Sequence, residues 1–184
     1  MAVSAHDVAA ELRRRLPGIG AVKLHKLLYY VQGHHLAHSD APLFGESIAA
    51  WDMGPIVGAL WAAEKAGESA PPPRELDEAA LNTIGYVVSR YGSLTGNDLI
   101  NLTHGEKPWQ TADATRGAGQ QTTIRVDWIR DYFRTEGAPD VGDEEQPLDA
   151  EAVRAWLSEV AAQPPGPGVS DSVESIRARM TTRA

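Results

Sequence analysis

The strongest constraint on the fold lies between Ala21 and Ala37. There Leu24, Leu27, Leu28 and Val31 fall at i, i+3, i+4 and i+7, the repeat of one helical face. Tyr29, Tyr30 and Leu36 widen that face well beyond a stripe. A helix with so little polar surface has to be enclosed by other elements, so this segment is expected to be the central core helix. The chain has 184 residues, 42% of them hydrophobic, which is enough for one core plus a tail.

The segments around it supply the enclosure. Ser4, with Asp7 three residues on, predicts a capped first helix carrying Val8, Leu12 and Leu16, closed by Pro17-Gly18. Asp40-Ala41-Pro42 marks a turn, and a short strand or hairpin is expected near residues 43–51. Gly54-Pro55 reads as a helix start, followed by Ile56, Leu60 and Ala63 at helical spacing. Residues 68–74 (ESAPPPR) read as an extended connector.

Leu81, Ile84, Val88 and Tyr91 predict a further helix over about 76–91. Thr95 with Asp98 caps a short one expected to bury Leu99 and Leu102, and Pro108-Trp109 opens another helical turn. Residues 116–123 read as a loop, and Val126, Ile129, Tyr132 and Phe133 as a last helix. The fold class is therefore mainly α: a compact helical domain over residues 1–136. An acidic linker over 137–148 and a C-terminal segment over 149–184 follow it. That last segment combines a helix with an amphipathic tail whose apolar positions are Val173, Ile176 and Met180.

Charge and composition narrow the function. Lys+Arg 17 against Asp+Glu 25 gives a net charge of −8, which works against phosphate backbones, and no basic helix-turn-helix pattern is evident. Nucleic acid is not an expected partner. With no cysteine, disulfides, thiolate metal sites and Cys-nucleophile chemistry are excluded. No apolar run approaches the length of a membrane span, and MAVSAHDVAAELRRR carries charges where a signal peptide is apolar, so a cytoplasmic chain without a membrane partner is expected.

His25, His34, His35 and His38 form the one cluster that invites a metal reading. His34 and His38 stand at i, i+4, and a third ligand would have to come from Asp40, Glu46 or His104. The helix dipole gives such histidines a plain structural reason to sit at a helix C-terminus. No GxSxG nucleophile turn is present, Gly117-Ala118-Gly119 lacks the lysine of a phosphate loop, and Glu144 and Glu145 lie in a solvated acidic run. A non-enzymatic protein without a cofactor is expected, with a His-based metal enzyme as the rival reading.

Two stretches are specific in order and spacing. The first is Lys23-Leu24-His25-Lys26-Leu27-Leu28-Tyr29-Tyr30-Val31-Gln32-Gly33-His34, continuing through Pro42-Leu43-Phe44 to Ile48-Ala49-Ala50-Trp51-Asp52-Met53-Gly54-Pro55. The second is Tyr91-Gly92-Ser93-Leu94-Thr95, then Leu99, Leu102-Thr103-His104 and Pro108-Trp109. Over about residues 20–135 this set resembles the Panacea domain, the SocA/GepA-like antitoxin domain of bacteria and phages. Met53 departs from the aromatic common before the Gly-Pro.

The resemblance implies an antitoxin that neutralises a cognate toxin, encoded by an adjacent gene, through direct binding. It also leaves open a SocA-like adaptor that delivers the toxin to the ClpXP protease. Leu24, Leu27, Leu28, Gly54, Pro55, Thr103, His104 and Pro108 are read as structural members of the motif. Lys23, Lys26 and Tyr29 are expected to reach solvent and meet the partner, while Trp51 and Trp109 either pack the chain or anchor that partner. The tail positions Val173, Ile176 and Met180 offer a second contact.

Overall fold

The computed structural model describes residues 3–117 and 120–135. Its elements, in chain order, are α1 (Ala5–Arg15), α2 (Ala21–Ser39), β1 (Ile48–Trp51), β2 (Gly54–Val57), α3 (Gly58–Lys65), α4 (Glu78–Tyr91), α5 (Gly96–His104), α6 (Lys107–Ala114), β3 (Thr122–Thr123) and α7 (Val126–Thr135). The fold is mainly helical with a small antiparallel sheet of order β2-β1-β3. The expected linker over 137–148 and C-terminal segment over 149–184, with Val173, Ile176 and Met180, lie outside the described residues.

The reason α2 is central is visible in its burial. Every residue from Leu24 to Gly33 is buried, and Leu36 with them. The helix packs against α1, α4, α5, α7 and β2, so no long side of it faces water. Apolar side chains on all faces are what such an enclosed helix requires. Leu12, Leu24, Leu27, Leu28, Ile84, Leu99, Ile129 and Phe133 share one core around it.

Local chemistry sets the ends of the surrounding helices. Ser4 and Asp7 form a reciprocal capping box on α1, and Thr95 and Asp98 form another on α5. Asp77 caps α4 by accepting from the Ala80 N–H. The extended connector is tied to α1 at two points: Arg74 N–H donates to Asp7 Oδ1 at 2.8 Å, and His6 Nε2 lies 2.9 Å from the Pro71 carbonyl oxygen.

Three expectations need correction. Gly54-Pro55 does not open a helix; it begins β2, which pairs antiparallel with β1 in the register Ala49↔Ile56 and Ala50↔Pro55. Proline is tolerated there because β2 is an edge strand and needs no ladder N–H on its open side. The loop over 116–123 contains β3, which adds to β1 through Thr122 and Thr123. Leu102, expected to be buried, is 45% exposed. It lies off the buried Leu99–Thr103 side of α5.

Candidate functional site

The motif side chains of α2, the β1–β2 hairpin and the α5–α6 junction converge. Lys26 is only 2% exposed and its Nζ donates to the Pro55 carbonyl at 3.0 Å, pinning the hairpin onto α2. Burial pushes this ammonium down to about 8. Gly54 sits directly above it with φ +88°, a left-handed conformation that follows the Asp52-Met53 turn. A Cβ on Gly54 would lie 2.7 Å from Lys26 Cε and 2.8 Å from Thr103 Oγ1, so the motif glycine is required by space as well as by φ. Thr103, wholly buried, turns its hydroxyl to the Leu99 carbonyl at 2.8 Å.

The expectation that Lys26 and Tyr29 reach solvent does not hold. Both are buried, because the enclosure of α2 extends to the positions off its apolar stripe. Lys23 is half-buried, and its Nζ donates to the Gly92 carbonyl at 2.6 Å. The tyrosines of α2 serve a residue that no local pattern singles out. Tyr29 and Tyr30 donate their hydroxyls to the two oxygens of Glu106, at 2.7 and 2.8 Å.

Glu106 is 8% exposed, and burial pushes its carboxyl up to about 7, against the pull of the two phenols. Burial and the neighbouring carboxylate together push both tyrosines up. A single glutamate two residues before Pro108 carries no local pattern; only the tertiary fold brings it under Tyr29 and Tyr30.

At the surface, the same elements present aromatic rings. His104 ends α5 and stacks on Trp109 with centroids 4.0 Å apart and planes 19° apart. Trp109 Nε1 donates to the Trp51 carbonyl at 3.2 Å, and Trp51 Nε1 donates to Gln121 Oε1 at 2.8 Å. Trp61 of α3, unremarked in the sequence, meets Trp51 edge-on at 6.1 Å. Trp51, Trp61 and Trp109 remain half-buried, and Met53 at the hairpin tip is 52% exposed. Beside them Arg116 pairs with Asp52 and Asp113 across a surface groove of about 410 Å³.

The histidines divide between the core and the surface. His25 is buried, and its Nδ1 accepts from the Val57 N–H at 3.3 Å, a second tie between α2 and the hairpin. His34 Nε2 lies 3.2 Å from the Tyr91 hydroxyl, and its ring meets Tyr86 and Phe133 edge-on at 4.8 Å each. Burial pushes both imidazoles down to about 4, so they are neutral at pH 7.

His34, His35 and His38 do share an open groove with Glu78 and Tyr86. The third-ligand candidates are engaged elsewhere. Asp40 pairs with Arg134, Glu46 accepts from the Ala5 N–H, and His104 lies on Trp109. Among the described residues no three His, Asp or Glu side chains group to hold a metal ion.

Comparison with known proteins bears on the same stretch. The family model described as Antitoxin SocA-like, Panacea domain matches residues 24–110, which run from the start of the buried part of α2 to the first turn of α6. No curated protein and no solved structure matches the chain. No helix among the described residues is long and apolar enough to cross a membrane. Residues 24–110, the segment that carries the Lys26–Gly54–Thr103 contact and the Glu106–tyrosine network, are thus similar to the SocA-like antitoxin Panacea domain.

Proposed function

We propose that the protein neutralises a cognate toxin, the product of an adjacent gene, by binding it directly through the face that carries Trp51, Met53 and Trp109. The observation that supports this reading is the way those rings are held. Trp51 and Trp109 are half-exposed, yet each indole N–H is fixed by an acceptor and each ring is braced by a second aromatic ring. Large amphipathic side chains immobilised before binding lose little entropy on association, and tryptophan is enriched among interface anchors.

The net charge of −8 suits a basic partner and speeds its encounter, while affinity rests on the aromatic contacts. The family itself is one of antitoxins, generally without enzymatic activity. The apolar positions Val173, Ile176 and Met180 would add a second contact.

The test is a growth assay on the neighbouring gene. It is expressed from an inducible promoter alone and together with this protein, and the pair is then run on a sizing column. Rescue of growth with co-elution, and with an unchanged toxin half-life, is the expected outcome. Rescue with a shortened toxin half-life and no stable complex would replace this reading with delivery to a protease.

A further inference from the structure

Glu106 lines a surface cavity of about 400 Å³ whose other walls include Tyr30, Tyr91, Tyr132, Phe133 and Arg90. Its position in the chain is the N-cap of α6, where a carboxylate ordinarily bonds to the first free N–H groups of the helix. Here the side chain makes no such bond and turns into the cavity toward Tyr29 and Tyr30. Two phenol donors hold both oxygens in place but bring no positive charge to the carboxylate. Among the described residues no lysine or arginine pairs with it. Arg90, on the cavity wall, lies over the Tyr91 ring at 5.7 Å from its centroid and engages Tyr86 and Tyr91 instead. Tyr30 and Tyr91 are stacked on each other at 4.1 Å, so the wall beside the carboxylate is aromatic.

We propose that this cavity receives an arginine side chain of the toxin, its guanidinium meeting Glu106 beside the tyrosine rings. The inference rests on the direct-binding reading for the source of that arginine, and on the cavity alone for the chemistry. Each Glu106 oxygen keeps a lone pair beyond the one its tyrosine occupies, which matches the two-pronged donor set of a guanidinium. A guanidinium is also weakly hydrated, whereas an ammonium loses more hydration on entering a cavity.

The probes are N-acetylarginine amide and its neutral isostere N-acetylcitrulline amide, added to the full chain with 13C-labelled glutamate carboxyls. The arginine derivative is expected to shift the Glu106 carboxyl signal saturably and to move its titration midpoint to lower pH. The citrulline derivative should do neither, and Glu106→Gln should abolish the response of the tyrosine rings to arginine. Equal responses to the two probes, no response to either, or a response that survives in E106Q would overturn the proposal. The wild-type comparison of the two probes decides it even if E106Q fails to fold.

Binding of the toxin then separates the two readings. A wild-type complex that E106Q weakens at least tenfold supports both. A complex unchanged by E106Q removes the arginine cavity and leaves direct binding intact, while absence of any wild-type complex removes direct binding and leaves the probe experiment to judge the cavity.

Discussion

Gly33 of α2 and Phe133 of α7 are fitted so closely that a Cβ built on Gly33 would lie 2.4 Å from the Phe133 ring. That ring also meets Tyr29 at 5.5 Å and His34 at 4.8 Å, both edge-on, so it is seated in a notch that Gly33 opens among larger side chains. The notch is how α7, which lies beyond the matched segment, is locked to α2 within it.

Replacing Gly33 by alanine therefore sets two effects against each other. Alanine favours a helix over glycine by about 1 kcal/mol, whereas forcing a buried aromatic ring out of place costs ~1–3 kcal/mol or more. Here the ring has protein on its other faces, so G33A is expected to lower stability by about 2 kcal/mol net. Urea denaturation should show a lower midpoint with an unchanged slope. Adding Phe133→Leu to G33A should recover part of the loss, because the smaller side chain vacates the space. A double variant no more stable than G33A would mean that the contact is not the source of the effect.

Lys26 supports a prediction in the opposite direction. Its ammonium is buried with the Pro55 carbonyl as acceptor, and burial holds it at about 8 where a free lysine titrates at 10.5. The folded state thus carries an unfavourable charge at pH 7. Lys26→Met keeps the length of the stem and removes the charge, and is expected to raise stability by ~1 kcal/mol after the loss of one hydrogen bond. The sign of the pH dependence is distinctive. The unfolded chain holds its Lys26 proton up to 10.5, so wild-type stability rises between pH 8 and 10.5 and the advantage of K26M shrinks over that window. A K26M protein less stable than wild type at pH 7 would show that the hydrogen bond outweighs the desolvation.

Lysine 26 also shows where a sequence stops informing. The periodicity of Leu24, Leu27, Leu28 and Val31, and the Ser4/Asp7 and Thr95/Asp98 capping boxes, are local facts, and α2, α1 and α5 form as they predict. What encloses a helix is not local. Lys26 and Tyr29 read as solvent-facing by residue type and by their place off the stripe, and only the packing of the hairpin and of α5–α6 buries them. Pro55 misleads for a similar reason: a Gly-Pro pair suits a helix start, and it becomes a strand because β1 supplies a partner. Glu106 had no local signal at all, since its significance is the distance from two tyrosines more than seventy positions earlier.

The buried histidines make acid the weak direction for this fold. His34 is held at about 4 by burial and by Arg90, against an ordinary 6.5. It stays neutral in the folded chain while the unfolded chain takes up a proton below 6.5, so stability is lost as pH falls from 6.5 toward 4; His25 acts in the same sense. Glu106 opposes them, because its carboxyl, raised to about 7, takes up a proton in the folded chain before an unfolded glutamate would at 4.5. His34→Phe isolates one contribution while keeping the aromatic packing against Tyr86 and Phe133. Relative to wild type, H34F should gain about 2 kcal/mol between pH 7 and pH 4.5. Thermal or urea unfolding at the two pH values checks this, and a difference that does not change with pH would refute it.

Met53 gives the cleanest test of the proposed interface, because its side chain stands at the tip of the hairpin turn and is 52% exposed. A substitution there has little folded structure to disturb, so Met53→Asp is expected to change stability by no more than about 0.5 kcal/mol. At the centre of an aromatic docking face, however, the same change inserts an unpaired charge beside Trp51 and adds to the negative charge of Asp52. Affinity for the toxin should fall at least tenfold, read as a faster dissociation rate in a surface-binding experiment and as reduced rescue of growth. Trp51→Ala should fall further but also lose packing against Trp61, so its effect on binding has to be compared at equal folded fraction. If M53D binds and neutralises as wild type does while remaining folded, the hairpin tip is not in the interface, and the partner must approach through another face.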